Sequence, residues 1–155
     1  GGGFMSTSAL LTYPDFYSAA VACAGNHDNN IYNQWWGETH HGVREVKSFE
    51  KKTVKDSITG KDTTISVEKI KFETKIPTNI ELAKNLKGYL MLVTGDVDNN
   101  VHPANTYRVV NELILQGKDF DLLILPNQGH AFEGPYKSYF EKKKRDYFTK
   151  YLLAE

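Results

Sequence analysis

The chain has 155 residues, and its 19 Lys and Arg balance its 19 Asp and Glu, so its formal net charge at pH 7 is zero. Hydrophobic residues make up 40% and charged residues 25%, which is typical of one folded globular domain that needs no disulfide or structural metal. This neutral composition lacks the positive field that draws proteins to nucleic acids, and no apolar run reaches the roughly 18 residues of a membrane span. We therefore expect neither a nucleic-acid partner nor a membrane span.

The first half of the chain predicts a helix, a covered strand and a β-hairpin. Residues Phe4–Leu11 suit a short helix, and the small-residue run Ser18–Ala24 lacks alternation, which favours a strand buried on both faces. Residues 26–43 are rich in Asn, His and Trp and are predicted to form loop and short helix. Between residues 46 and 72, partly alternating Thr, Val and Ile around a turn at Thr59–Asp62 predict a β-hairpin.

The last third alternates strand and helix patterns. Strands are predicted at Tyr89–Val93 and Phe120–Leu125, and helices at Pro103–Gln116, capped by Gly117, and at Tyr136–Leu153. This order predicts an α/β fold with a mostly parallel sheet flanked by helices. The aromatic residues of the last helix recur at helical spacing, which we interpret as core packing, with a partner surface as the alternative.

Residues with catalytic side chains follow the two strands of this last third. In open α/β sheets ligands bind beyond the carboxyl ends of the strands. The sequence T-G-D-V-D-N-N-V-H at 94–102 follows the first strand and contains Asp96 and Asp98, and P-N-Q-G-H-A-F at 126–132 follows the second and contains His130. An acid followed by a histidine matches the last two members of an α/β-hydrolase triad, whose order is Ser, Asp, His. Both acids also suit turn capping, so the residues alone leave the choice between them open.

A nucleophile of the G-x-S-x-G type is absent from the sequence, because no serine has glycines two residues to either side. The run Gly1-Gly2-Gly3 leads into the first predicted helix, as the residues after such a serine do. We expect the serine to lie immediately before Gly1, whose amide would then donate to the oxyanion. On this expectation the isolated chain hydrolyses nothing.

The two motifs together, T-G-D-V-D-N-N-V-H and N-Q-G-H-A-F, resemble the prolyl oligopeptidase family and, within it, the dipeptidyl peptidase IV branch. The resemblance covers Gly1 to about Trp36 and about Ile80 to Leu153. It implies that residues 1–155 are the C-terminal part of one α/β-hydrolase catalytic domain of a serine peptidase, with residues 46–72 as an insertion. No cofactor is implied.

The resemblance also implies roles for individual residues. Asp98 takes the position of the catalytic acid and His130 that of the general base. Asn100 matches an asparagine that contacts the substrate's carbonyl, Val101 a residue that lines the pocket for proline, and Tyr32 a pocket tyrosine. The segment before Tyr32 is shorter than is typical of the family, which leaves the preference for proline open.

The partners implied by the resemblance are a peptide substrate, a second copy of the hydrolase domain in a homodimer and an upstream β-propeller outside these residues. For bacterial members it implies export to the periplasm or the extracellular space. No metal site is expected, because adjacent histidines such as His40 and His41 do not converge on one ion. Two alternatives remain open at this point: an esterase or acyl-transfer enzyme with the same triad, and a noncatalytic interaction domain.

Overall fold

The computed structural model describes residues 1–55, 57–58, 60–73 and 78–153. The chain divides into two compact units, one made of residues 1–32 and 77–155 and the other of residues 33–76. In chain order the elements are α1 (Gly2–Thr12), β1 (Ala19–Cys23), α2 (Gln34–His41), β2 (Arg44–Lys55), β3 (Asp62–Glu73), α3 (Asn79–Leu82), β4 (Tyr89–Gly95), α4 (Ala104–Leu115), β5 (Asp121–Leu125) and α5 (Gly134–Phe148). The assignment of residues 1–155 to one catalytic domain stays a prediction.

The first unit contains a parallel sheet, which confirms the predicted α/β class. Among its described residues the strand order is β1-β4-β5, with β4 in the centre. Ala19 lies opposite Tyr89 on one side of β4, and Met91 lies opposite Asp121 on the other. Because all three strands run in the same direction, their carboxyl ends lie along one edge, where β4 and β5 lead into the predicted site segments.

Each face of the sheet is covered by a hydrophobic cluster. On one face the helices α1 and α4 contribute to a cluster that includes Leu10, Leu11, Ala20, Ala22, Leu90, Leu92, Val109 and Leu113. On the other face α5 contributes to a cluster that includes Met91, Val93, Leu125, Phe140 and Tyr147. The small side chains of β1 alternate between these clusters, which confirms the prediction of a strand covered on both faces.

The end of α4 agrees with the predicted glycine cap. Gly117 has a φ of 61°, its N–H donates to the Ile114 carbonyl at 3.0 Å, and the Lys118 N–H donates to the Leu113 carbonyl at 2.9 Å. A residue with a side chain pays a steric cost in this left-handed conformation, so glycine ends the helix here.

Several element bounds differ from the predictions. Helix α1 begins at Gly2 instead of Phe4, and α5 ends at Phe148, where a π-helical turn at 149–153 replaces the predicted regular helix. The aromatic face of α5 is only partly core, because Tyr139 is half exposed. Helix α3 was not predicted, although Thr78 and Glu81 form the capping box that its sequence indicates.

The second unit contains α2 and the predicted β-hairpin. Strands β2 and β3 pair antiparallel from Arg44 opposite Glu73 to Lys55 opposite Asp62, so the hairpin extends slightly beyond the predicted residues 46–72. The predicted turn at 59–62 includes residue 59, which is outside the described residues. Most side chains of the hairpin are exposed. The hairpin is held together by its backbone hydrogen bonds and by cross-strand side-chain pairs such as Lys47 with Glu68.

Candidate active site

The site segments after β4 and β5 are in close contact. The Val97 N–H donates to the Gln128 carbonyl at 3.2 Å, and the Asp96 N–H donates to the Leu125 carbonyl at 3.3 Å. Gly95 ends β4 against the same segment, and a Cβ added at Gly95 would overlap the Gln128 carbonyl oxygen. Any larger residue at Gly95 would push the two segments apart, so glycine is required here by close approach of backbone to backbone.

Asp98 is buried between these segments, and both of its carboxylate oxygens are hydrogen-bonded. Its Oδ1 accepts from the N–H groups of Asn100 and Val101, each at 2.9 Å. Its Oδ2 lies 2.9 Å from Nδ1 of His130. A buried carboxylate is costly unless its oxygens are paired, and here three donors converge on it. The turn after β4 therefore fixes the direction in which Asp98 faces.

The Asp98 contact sets the tautomer and orientation of His130. An ionised carboxylate only accepts, so the hydrogen on Nδ1 of His130 donates to Asp98 and the neutral ring keeps its acceptor on Nε2. The His130 side chain is 43% exposed, whereas that of Asp98 is fully buried. Such an arrangement presents a proton acceptor toward solvent while the other ring nitrogen is held, as a general base requires.

The structure distinguishes between the two acids that the sequence left open. Asp98 pairs with His130, whereas Asp96 is exposed. His102, at the end of the same turn, accepts the Ala104 N–H on Nδ1 at 3.2 Å and so caps the start of α4. The acid and base positions implied by the resemblance thus lie together, while their catalytic roles remain predictions.

Tyr32 and Asn100 meet across two loops of the first unit. The Tyr32 hydroxyl donates to Oδ1 of Asn100 at 2.9 Å, although 68 residues separate them. Val101, next to Asn100, is buried and donates its N–H to Asp98. The residues predicted to bind substrate are therefore joined through the turn that also holds the acid, and their contact with a substrate remains a prediction.

Gly1 lies at the N-terminus of α1, where its carbonyl accepts the Met5 N–H at 2.9 Å. The first turn of α1 packs tightly against the end of β1, because a Cβ added at Gly3 would overlap the Cys23 carbonyl and lie 2.7 Å from the Gly25 backbone. Since β1 is next to β4, this helix N-terminus lies at the edge of the sheet that carries Asp98.

The loop at residues 26–32 begins with four buried polar side chains, which were not predicted as a unit. Its side chains at Asn26, His27, Asp28 and Asn29 are all buried. Nδ1 of His27 accepts from Nδ2 of Asn79 at 2.9 Å; the same Asn79 nitrogen donates to the Phe4 carbonyl at 3.0 Å, which fixes the orientation of the Asn79 amide. Burial lowers the pKa of His27 to about 4, because the interior penalises the charged ring.

Comparison with known proteins identifies the family. A model of the prolyl oligopeptidase family matches residues 1–155. The chain belongs to the prolyl oligopeptidase family. Among the described residues no helix is both long and apolar enough to cross a membrane, and no group of three or more His, Cys, Asp or Glu side chains gathers as a metal site.

The individual proteins to which the chain is similar carry dipeptidyl peptidase names. The chain is 28% identical over 131 residues to dipeptidyl peptidase family member 1 from Caenorhabditis elegans, a match that covers 84% of this chain and 13% of that protein. Its fold is similar to crystal structures of a dipeptidyl aminopeptidase IV from Bacteroides ovatus (TM-score 0.71, 23% identity) and of dipeptidyl peptidase 4 from Porphyromonas gingivalis (TM-score 0.72, 21% identity). Each structural match covers 97% of this chain and 18% of the other. The chain thus spans less than a fifth of the length of these relatives.

Proposed function

We propose that the chain supplies the acid and the base of a serine peptidase that hydrolyses peptide bonds, with the serine directly before Gly1 in a longer protein. The observation that carries this proposal is the 2.9 Å contact between Nδ1 of His130 and a fully buried oxygen of Asp98. Membership of the prolyl oligopeptidase family and the similarity to dipeptidyl peptidases support a peptide as the substrate.

In the proposed reaction Nε2 of His130 takes the proton of the serine hydroxyl as the serine attacks the peptide carbonyl. The carbonyl carbon becomes tetrahedral, and its oxyanion accepts a hydrogen bond from the Gly1 amide. His130 then returns the proton to the leaving amine, and a water molecule repeats the sequence to release the acyl group. Asp98 holds the ring in the tautomer that these steps need and stabilises the imidazolium between them.

Substrate binding is assigned to the residues around the turn after Asp98. The Tyr32 hydroxyl donates to Oδ1 of Asn100, so the Asn100 amide turns its Nδ2 away from Tyr32 and is oriented to donate to a peptide carbonyl. Val101 and Tyr32 would line the adjoining pocket for the residue at the cleaved bond. On this proposal the 155 residues alone hydrolyse nothing, because the nucleophile is not among them.

The test uses the full-length protein with a chromogenic dipeptide substrate that carries proline at the cleaved bond. His130→Gln should abolish turnover, whereas the control His102→Gln, at an exposed loop histidine that caps α4, should retain it. The gene sequence should encode serine immediately before Gly1. A different residue there, or turnover that does not depend on His130, contradicts the proposal. If the protein turns over ester substrates but not peptide substrates, a peptide is not the substrate and the protein is an esterase.

A further inference from the structure

A buried carboxylate at Asp28 joins the 26–32 loop to helix α4. Asp28 is 5% exposed, and its Oδ2 lies 2.9 Å from the guanidinium of Arg108, in the middle of α4. Its backbone N–H also points to Oδ1 of Asn105, one turn earlier on the same helix, at 3.4 Å. A charge buried to this extent is costly unless it is paired, so removing Arg108 leaves an uncompensated carboxylate in the interior.

The second oxygen of Asp28 shapes the loop itself. Its Oδ1 accepts from both the backbone N–H and the Nδ2 of Asn30, each at 3.1 Å, and the Ile31 N–H donates to the Asp28 carbonyl at 3.3 Å. A carboxylate that accepts the amide two residues ahead forms an Asx turn, which fixes the direction in which the chain leaves. Tyr32 directly follows Ile31, so the turn formed by Asp28 fixes the position of the Tyr32 backbone from which the side chain extends.

Helix α4 directly follows the turn of the candidate site that contains Asn100. The turn that precedes α4 contains Asn100, whose Oδ1 accepts from the Tyr32 hydroxyl at 2.9 Å. By binding α4 with one carboxylate oxygen and the 26–32 loop with the other, Asp28 holds the two partners of this hydrogen bond at a fixed separation. The ion pair therefore acts on the orientation of the Asn100 amide through Tyr32.

We propose that Asp28 and Arg108 are positioning residues for substrate binding, which keep Nδ2 of Asn100 directed at the carbonyl oxygen of a bound peptide. This inference rests on the proposed peptidase function and adds to it a source of substrate affinity outside the triad. Asp98 is held by the backbone N–H groups of Asn100 and Val101 and by His130, and none of these bonds uses the side chain of Asp28 or Arg108. Weakening the ion pair therefore changes binding through the Asn100 side chain much more than it changes the chemical step.

The test measures KM and kcat separately in the full-length protein. Arg108→Gln and Asp28→Asn should each raise KM for the dipeptide substrate about tenfold and leave kcat within about twofold of wild type. Tyr32→Phe should raise KM similarly, and adding Arg108→Gln to it should cause little further change, because both act through one hydrogen bond. The control Asp15→Asn breaks an exposed ion pair with Lys87 in the same unit and should change neither constant.

Arg108→Gln carries the test if Asp28→Asn fails to fold, since the Arg108 side chain is half exposed whereas Asp28 is buried. An unchanged KM in Arg108→Gln, or a fall in kcat as large as the rise in KM, overturns the positioning role while the peptidase function stands. If the effects of Arg108→Gln and Tyr32→Phe on KM are fully additive in the double variant, the positioning role is also overturned. Absence of His130-dependent turnover in the wild-type protein overturns the proposed function and this inference together.

Discussion

Replacing His27 with asparagine should make the protein less sensitive to acid. His27 is fully buried in the first unit, and its Nδ1 accepts a hydrogen bond from Asn79. Because that nitrogen is an acceptor, the neutral ring carries its hydrogen on Nε2, which packs close to Gly25. In His27→Asn the new Oδ1 takes the place of Nδ1 as acceptor for Asn79, and the titratable group is gone.

The magnitude follows from the difference in the pKa of His27 between the folded and unfolded chains. Burial lowers this pKa from 6.5 to about 4 in the folded chain. Above pH 6.5 the ring is neutral in both states, so it makes no pH-dependent contribution. As the pH falls from 6.5 to 4, the unfolded chain takes up a proton that the folded chain does not, so the free energy of unfolding decreases. At pH 4.5 the loss is about 2.5 kcal/mol.

The assay is urea unfolding at pH 7 and pH 4.5, followed by circular dichroism. Wild type should lose about 2.5 kcal/mol more between the two pH values than His27→Asn does, even if the smaller side chain lowers stability at pH 7. His102→Asn is the matched control, because His102 is exposed and the variant should show the wild-type loss. An equal loss in wild type and His27→Asn would refute the claim that the buried, neutral His27 ring makes the folded protein sensitive to acid.

Three further predictions concern the site and the core. Asp98→Asn in the full-length protein should lower kcat about 10⁴-fold, because the amide no longer selects the His130 tautomer; steady-state kinetics measures this. Gly95→Ala should destabilise the protein by about 2 kcal/mol or more in urea unfolding, because its Cβ meets the backbone of Gln128. Leu92→Ala should cost about 3 kcal/mol in the same assay, since Leu92 is fully buried in the central strand.

The parts of the fold that were predictable are those that local patterns encode. Strands β4 and β5 and helix α4 follow from apolar runs and a glycine cap, and the placement of Asp98 and His130 follows from the rule that parallel strands end at one edge. The choice of Asp98 over Asp96 required the resemblance to a family, because both acids follow the same strand and both suit a turn. The structure then pairs His130 with Asp98.

The parts that were not predictable depend on contacts between distant residues. Asp28 and Arg108 are 80 residues apart, and no local pattern indicates that they pair. His27 lies in a polar stretch that reads as an exposed loop, yet its contact with Asn79 buries it. Burial of a polar group depends on the partners that tertiary structure brings to it, and local propensity carries no information about them.

The most direct test of the central claim is covalent labelling of the full-length protein with a fluorophosphonate, followed by mass spectrometry of the digested product. Such reagents modify a serine that a neighbouring base activates. We expect a single adduct on a serine immediately before Gly1, its loss in His130→Gln and its retention in His102→Gln. An adduct on any other residue, or labelling that persists without His130, would contradict the assignment of Asp98 and His130 as the acid and base of a serine peptidase.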